Sequence, residues 1–158
     1  MTTPKPAPVS YATLPFFGVN AFKFTDAAGT ARHGRYQILP VLGDQRLSDE
    51  DAAKQGPDYL IQDVEARLAK GPIQYRILVQ IAEDGDVIID PTEVWPAERK
   101  TVELGVLTLN AVAPDNAETQ RKLAFNPLIL NDGIEPTADP VLLARPGAYA
   151  VSVGQRAQ

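Results

Sequence analysis

FNPLILNDGIEPTADPVLLARPGAY, residues 125–149, divides into a loop punctuated by prolines and the start of a helix. Asp139 followed by Pro140 marks the boundary. Aspartate is a favoured N-cap because its carboxylate accepts orphan amide hydrogens, and proline fits the first helical position, where no amide donor is needed. Arg145 and Tyr149 stand four residues apart on that helix, so both side chains fall on one face, one turn apart. Pro146 and Gly147 lie between them. An interior proline removes the hydrogen bond to Leu142 and costs about 3 kcal/mol, and glycine adds about 1 kcal/mol. The sequence therefore predicts a kink inside the turn that joins the pair.

The pair itself has two readings. One is a core-facing tyrosine with an arginine stretched along apolar surface toward water. The other uses the chemistry of the phenol, which is neutral at pH 7 in isolation but is pushed toward the phenolate by a nearby cation and by hydrogen bonds to its oxygen. A tyrosinate is a hard anionic ligand for ferric iron and one of the axial ligands of haem.

Composition narrows the classes. The chain has 158 residues, 44% hydrophobic and 22% charged, which suits one domain with a real core. A net charge of -5 argues against a general nucleic-acid binder, which needs a basic face. There is no cysteine, which excludes disulfides, zinc-thiolate sites and a cysteine nucleophile. No run approaches a membrane span, and MTTPKPAPVS at the N-terminus has no apolar signal region, so the compartment stays open. Dinucleotide-binding, P-loop, zincin and nucleophile-elbow motifs are missing.

Taken in order, residues 1–12 read as a flexible, proline-rich lead and residues 13–158 as the folded portion. Phe16 to Thr25 reads as one strand, the turn Asp26 to Gly29 closes a hairpin, and Arg32 to Leu39 is the return strand. Ser48 caps a short helix with Asp51 at the third position, and a second helix opens at Gly56-Pro57 with an apolar stripe of Leu60, Ile61, Val64 and Leu68. Ile73, Tyr75, Ile77, Val79 and Ile81 alternate, so 73–82 is a strand with one buried face. Thr101 to Val112 is a further strand whose alternation breaks near Gly105, the mark of a bulge or of two covered faces. Asn116 to Leu123 is a short helix, 125–138 a loop, and a final helix follows. The class is α+β on an antiparallel sheet or partial barrel.

The ordered elements F-N-P, G-I-E-P, the aspartate, a leucine and R-x-x-x-Y in 125–149 resemble the proximal haem segment of the haem catalases. Phe22-Lys23, the turn at Asp26 to Gly29, Leu47-Ser48, Pro57-Asp58-Tyr59 and Trp95-Pro96 follow in catalase order, and the compact form is most similar to the catalase-related peroxidase branch. The resemblance implies the C-terminal part of a catalase core: a partial antiparallel β-barrel with short helices and a C-terminal proximal helix. It implies haem b as cofactor, with Tyr149 as the axial iron ligand, Arg145 as its charge partner and Pro127 near the proximal face. Tyr36 falls where catalases usually place a phenylalanine against the haem, with Gly34 leaving space beside the ring, or else it is simple strand packing. Arg156, seven residues beyond Tyr149, either reaches a propionate or frays at the C-terminus.

Other positions depart from the pattern. The distal histidine that moves a proton between peroxide oxygens has no counterpart here, and Pro15 stands where catalases carry a distal asparagine; Asn20 is close by but falls on a different family position. The one histidine, His33, has opposite strand parity to Tyr36 and is expected to face away from a haem. No catalytic residue is therefore assigned. The expectation is a haem-dependent peroxidase acting on hydrogen peroxide or organic peroxides, weak or inactive as this chain alone. The alternative is a non-catalytic haem-binding module, a pseudoenzyme fragment or half of a split protein. An exposed sheet edge then favours self-association or completion by a second chain, with no nucleic acid or membrane as partner.

Overall fold

The computed structural model describes residues 6–156. The first five residues of the stretch read as a lead lie outside the described residues. The rest of that stretch is tied down: Leu47 N donates to Ala7 O at 2.8 Å, Tyr59 Oη to Pro8 O at 2.8 Å and Val9 N to Gln45 O at 3.0 Å. Prolines withhold donors, but their carbonyls still accept. Ser10 is buried and its hydroxyl caps the turn at Tyr11–Thr13 through the Ala12 amide.

Among the described residues, six strands form one open sheet: β1 (Phe16–Phe17), β2 (Phe22–Thr25), β3 (Ala31–Pro40), β4 (Ile73–Ile81), β5 (Thr101–Leu109) and β6 (Ile134–Pro136). Their order is β5-β4-β3-β2-β6, with β1 beside β3. The described residues also form four α-helices: α1 (Asp49–Ala53), α2 (Tyr59–Leu68), α3 (Asn116–Lys122) and α4 (Pro140–Arg156). The predicted α+β class with an antiparallel, unclosed sheet is the observed one.

Two strand readings change. Phe16 to Thr25 is not continuous; it breaks at Gly18–Ala21, where Gly18 N donates to Tyr36 O and Asn20 and Ala21 turn inward and are buried. The loop 125–138 contains β6, three residues long and ending on Pro136. Its pairing, Phe22 with Pro136 and Phe24 with Ile134, comes from a strand more than 100 positions away, which no local pattern reports.

By contacts the chain divides into two compact units. The first runs to Phe16 and adds Gln37–Leu78 and Glu103–Val112. Its core is Ala12, Ile73 and Tyr75, with Ile38, Val64 and Leu68 packed on them. The α2 stripe is therefore narrower than the sequence suggests, since Ile61 stays exposed. In this unit Gln74 and Arg76 lie on one face of β4, and they bond Thr108 and Glu103 of β5. Residues 103 and 108 have opposite parity, so β5 shifts by one residue between them. Gly105, with φ +156°, stands in that interval and marks the bulge. The shift puts Leu104, Leu107 and Leu109 on the face opposite Gln74 and Arg76.

The second unit comprises Phe17–Tyr36, Val79–Val102 and the chain from Ala113 onward. One anchor is Arg35, which is buried and lies over the Trp95 ring at 4.1 Å. Its guanidinium donates to Glu93 O at 2.6 Å, Asp90 O at 3.0 Å and Val87 O at 3.5 Å. Burial pushes its pKa below the usual arginine value, opposed by the charges of Asp139, Asp86 and Asp90. The other anchor is the start of α4.

Candidate functional site around Tyr149

Asp139 begins the site. It is 1% exposed, and its Oδ1 accepts from the amides of Val141 (2.8 Å) and Leu142 (3.2 Å). It is thus the predicted cap of α4, and the positive helix end stabilises its buried charge. Its other oxygen, Oδ2, accepts from Asn20 Nδ2 at 2.6 Å. Asn20 Oδ1 in turn accepts from Arg145 Nη1 at 2.8 Å, and Arg145 Nη2 donates to Tyr149 Oη at 2.5 Å. A carboxylate only accepts and a guanidinium only donates, so one orientation of the Asn20 amide satisfies both neighbours. The result is a continuous line from the helix N-terminus through Asp139, Asn20 and Arg145 to the phenol oxygen.

The expected kink does not separate the pair. α4 continues through Pro146 to Arg156, and the Arg145–Tyr149 bond closes across that turn. The guanidinium carbon also lies over the Tyr149 ring, 5.4 Å from its centroid, so Arg145 meets both the ring and the oxygen.

Tyr149 opens onto a concavity of about 510 Å³ between α3 and α4. Leu123, Phe125 and Val153 supply its apolar wall, and Arg121 and Arg156 its charge. Arg156, read as a reaching or fraying arginine, is held by Ser152 Oγ at 2.6 Å and Leu123 O at 2.8 Å.

Two other sequence candidates stand apart. Tyr36 packs edge-on against Phe24 and tilted against Phe22, with centroids 5.5 and 5.7 Å away, and burial raises its pKa. The space over Gly34 is filled: a Cβ there would meet Val79 Cγ1 at 2.3 Å. Pro127 sits in the turn Asn126–Ile129, closed by Ile129 N to Asn126 O at 3.1 Å. Among the described residues, no hydrogen bond or ring pair joins Tyr36 or Pro127 to Arg145 or Tyr149. His33 pairs across the hairpin with Lys23 and is not among the residues lining the concavity.

By sequence alone Asn20 stands only near the distal-asparagine position, with no role assigned to it. Its one signal was a polar amide inside the apolar run Phe16–Phe22, where a strand reading has no use for it.

The sequence model of the family described as Catalase matches residues 1–157. The chain belongs to the catalase family. It is 37% identical over 149 residues to the catalase-related peroxidase of Synechococcus elongatus, covering 94% of this chain and 44% of that protein. The catalase-related peroxidase of Mycolicibacterium paratuberculosis is 36% identical over 149 residues, with 94% and 47% covered. Among solved structures, catalase A from Saccharomyces cerevisiae superposes with a TM-score of 0.80 at 25% identity, over 94% of this chain and 33% of that one. This catalase-family chain spans less than half the length of the curated relatives it matches.

Proposed function

We propose that this chain carries the iron-ligating, proximal side of a haem-dependent catalase-related peroxidase acting on hydrogen peroxide or organic peroxides. The observation that carries this reading is the 2.5 Å bond from Arg145 Nη2 to Tyr149 Oη, with Arg145 held from behind by Asn20. A tyrosine packed only for its ring area needs no cation at its oxygen. A tyrosine that ligates iron through oxygen does, because Arg145 stabilises negative charge there.

The residues present fit haem b. The phenol oxygen is half-buried beside a concavity with an apolar wall for a macrocycle and two arginines, Arg121 and Arg156, at its border for carboxylates. When bound, the haem supplies the iron at which peroxide is activated. Tyr149 would supply the oxygen that holds the iron and Arg145 would hold negative charge on it, while Asn20 with Asp139 fixes the direction of the guanidinium. Leu123 and Phe125, both exposed, would offer apolar surface to the group.

One observation favours a second reading. The single histidine, His33, lies on β3 paired with Lys23 and does not line the Tyr149 concavity, so none of the described residues is assigned as the imidazole base for the peroxide proton. This chain then acts as a haem-binding module, or as a half completed by a second chain. A haem titration tests the shared element. The expected result is a stoichiometric Soret band with high-spin ferric tyrosinate features, lost in Tyr149→Phe. Equal binding by the variant would overturn the assignment. Peroxide turnover by the loaded chain separates the two readings: slow turnover supports the peroxidase, and none supports the module.

A further inference from the structure

Aspartate followed by glycine occurs twice, at Asp84-Gly85 and Asp132-Gly133, and each pair fills the centre of an exposed turn. Asp86 N donates to Glu83 O at 3.1 Å, and Ile134 N to Asn131 O at 3.1 Å. Gly85 has φ +93° and Gly133 φ +81°, while neither aspartate is left-handed, so both are type II turns. The peptide joining aspartate to glycine is the central unit of such a turn and takes no part in the closing bond. It flips when only the aspartate ψ and the glycine φ change, a change that glycine tolerates. The surroundings separate the two pairs. Gly133 is pressed on the end of β2: its oxygen accepts from Thr25 N at 2.7 Å, and a Cβ on it would meet Thr25 O at 2.8 Å. Gly85 is open, with nothing within 4 Å of its Cβ position, and among the described residues no hydrogen bond engages its amide. What is held at that turn is its flanks, since Arg99 Nη1 donates to Glu83 Oε2 at 2.6 Å and Arg99 Nε to Asp86 Oδ2 at 3.0 Å.

We infer that Asp84 is a modification site, where the link to Gly85 isomerises to isoaspartate, while Asp132 is protected by its contact with Thr25. The Gly85 amide nitrogen attacks the Asp84 side-chain carboxyl carbon. A C–N bond forms, and the amide proton leaves with the acid's hydroxyl as water. One water then reopens the cyclic imide. Opening at the main-chain carbonyl carbon leaves the chain running through the Asp84 side-chain methylene, with a free carboxylate beside it. Water is the only co-reactant. The glycine, lacking a side chain, does not obstruct its own nitrogen, and the free central peptide gives that nitrogen the swing it needs. The isomer adds a methylene to the main chain inside the Glu83–Asp86 turn. Glu83 N then no longer meets Asp86 Oδ2, which it reaches at 2.8 Å, and Arg99 loses its simultaneous hold on both acids. That hold closes the segment 83–99, which carries Trp95. The inference is independent of haem binding.

The chain is aged warm at neutral pH, and isoaspartate is counted by enzymatic methylation specific to it and located by peptide mapping. The expected result is accumulation in the peptide carrying Asp84 at least about fivefold faster than in the one carrying Asp132, the factor that one backbone hydrogen bond is worth. In urea strong enough to unfold the chain the two rates converge. Asp84→Glu keeps the exposed charge but enlarges the ring that must close, and it removes the Asp84 signal. The urea midpoint followed by Trp95 emission falls in the aged parent and holds in aged Asp84→Glu. Equal rates in the folded chain, or faster reaction at Asp132, overturn the inference. So does an unchanged ratio in urea, which makes the flanking sequence and not the turn the cause. An isomerised chain with an undiminished midpoint overturns the link to the Arg99 clamp.

Discussion

Replacing Asn20 with alanine removes the middle of the line from Asp139 to Tyr149. The side chain is 4% exposed and holds two hydrogen bonds, each to a charged group, at 2.6 and 2.8 Å. A bond to a charged partner contributes about 1.5–3 kcal/mol, and water entering the vacated space recovers part of the sum, so the expected loss is about 3 kcal/mol. For a chain of this size that lowers Tm by about 6–12 °C. Trp95 is the only tryptophan, is buried and belongs to the same compact unit, so its emission follows urea unfolding of that unit. Asn20→Asp keeps the shape but turns a donor into a second carboxylate against Asp139, and at pH 7 it is expected to cost more than alanine. Combining Asn20→Ala with Arg145→Met is expected to show a coupling of about 1 kcal/mol or more, because the two side chains share a bond. A loss below about 1 kcal/mol for Asn20→Ala, or an Asn20→Asp variant as stable as the parent, would refute the view that this amide joins a carboxylate to a guanidinium.

Gly34→Ala is expected to lose about 1–3 kcal/mol in the same urea assay, because its Cβ would meet Val79 Cγ1 at 2.3 Å; Val79→Ala in the same chain should restore part of the loss. Acid sensitivity has a named contributor. The side-chain bond from Arg99 and the Glu83 amide hold Asp86 below its usual pKa of 3.8. A depressed carboxylate contributes stability present above the unfolded value and lost as pH falls through the folded one, so Asp86→Asn is expected to flatten the fall in Tm below about pH 4. An unchanged acid limb in that variant would count against the Arg99 pairing as its cause.

Where the sequence carried its own local signal, the structure follows it. The strand at 73–81, the Asp26 turn with Gly29 at φ +82°, the Ser48 cap and the Asp139-Pro140 start of α4 are each decided within a few residues, but burial alternates only over Ile73–Arg76 and the expected single buried face gives way to burial of both faces at Leu78–Gln80. The bulge at Gly105 was legible as an alternative, and the bonds from Gln74 and Arg76 decide for it. β6 and the break at Gly18–Ala21 were not legible, since both exist because distant segments supply the partners. The site divides the same way. Arg145 and Tyr149 could be paired from helical spacing alone. Asn20 could not, because its partners lie 119 and 125 positions along the chain. The arginine and tyrosine were readable as a pair, but what aims the arginine was not.

The segment from Glu83 to Arg99 has no helix or strand, yet a side chain some fifty positions earlier holds it at three places. Arg35 grips it by main-chain oxygens at Val87, Asp90 and Glu93. Every residue type presents the same carbonyl, so the grip does not read the side chains at those places. Val87 and Glu93 are free to change in size and charge without loosening the loop, while Arg35 and the ring of Trp95 beneath it are not. A library randomised over this stretch would find its tolerance at Val87 and Glu93, with the constraint at Trp95 and the Asp86–Arg99 pair within it and at Arg35 outside it.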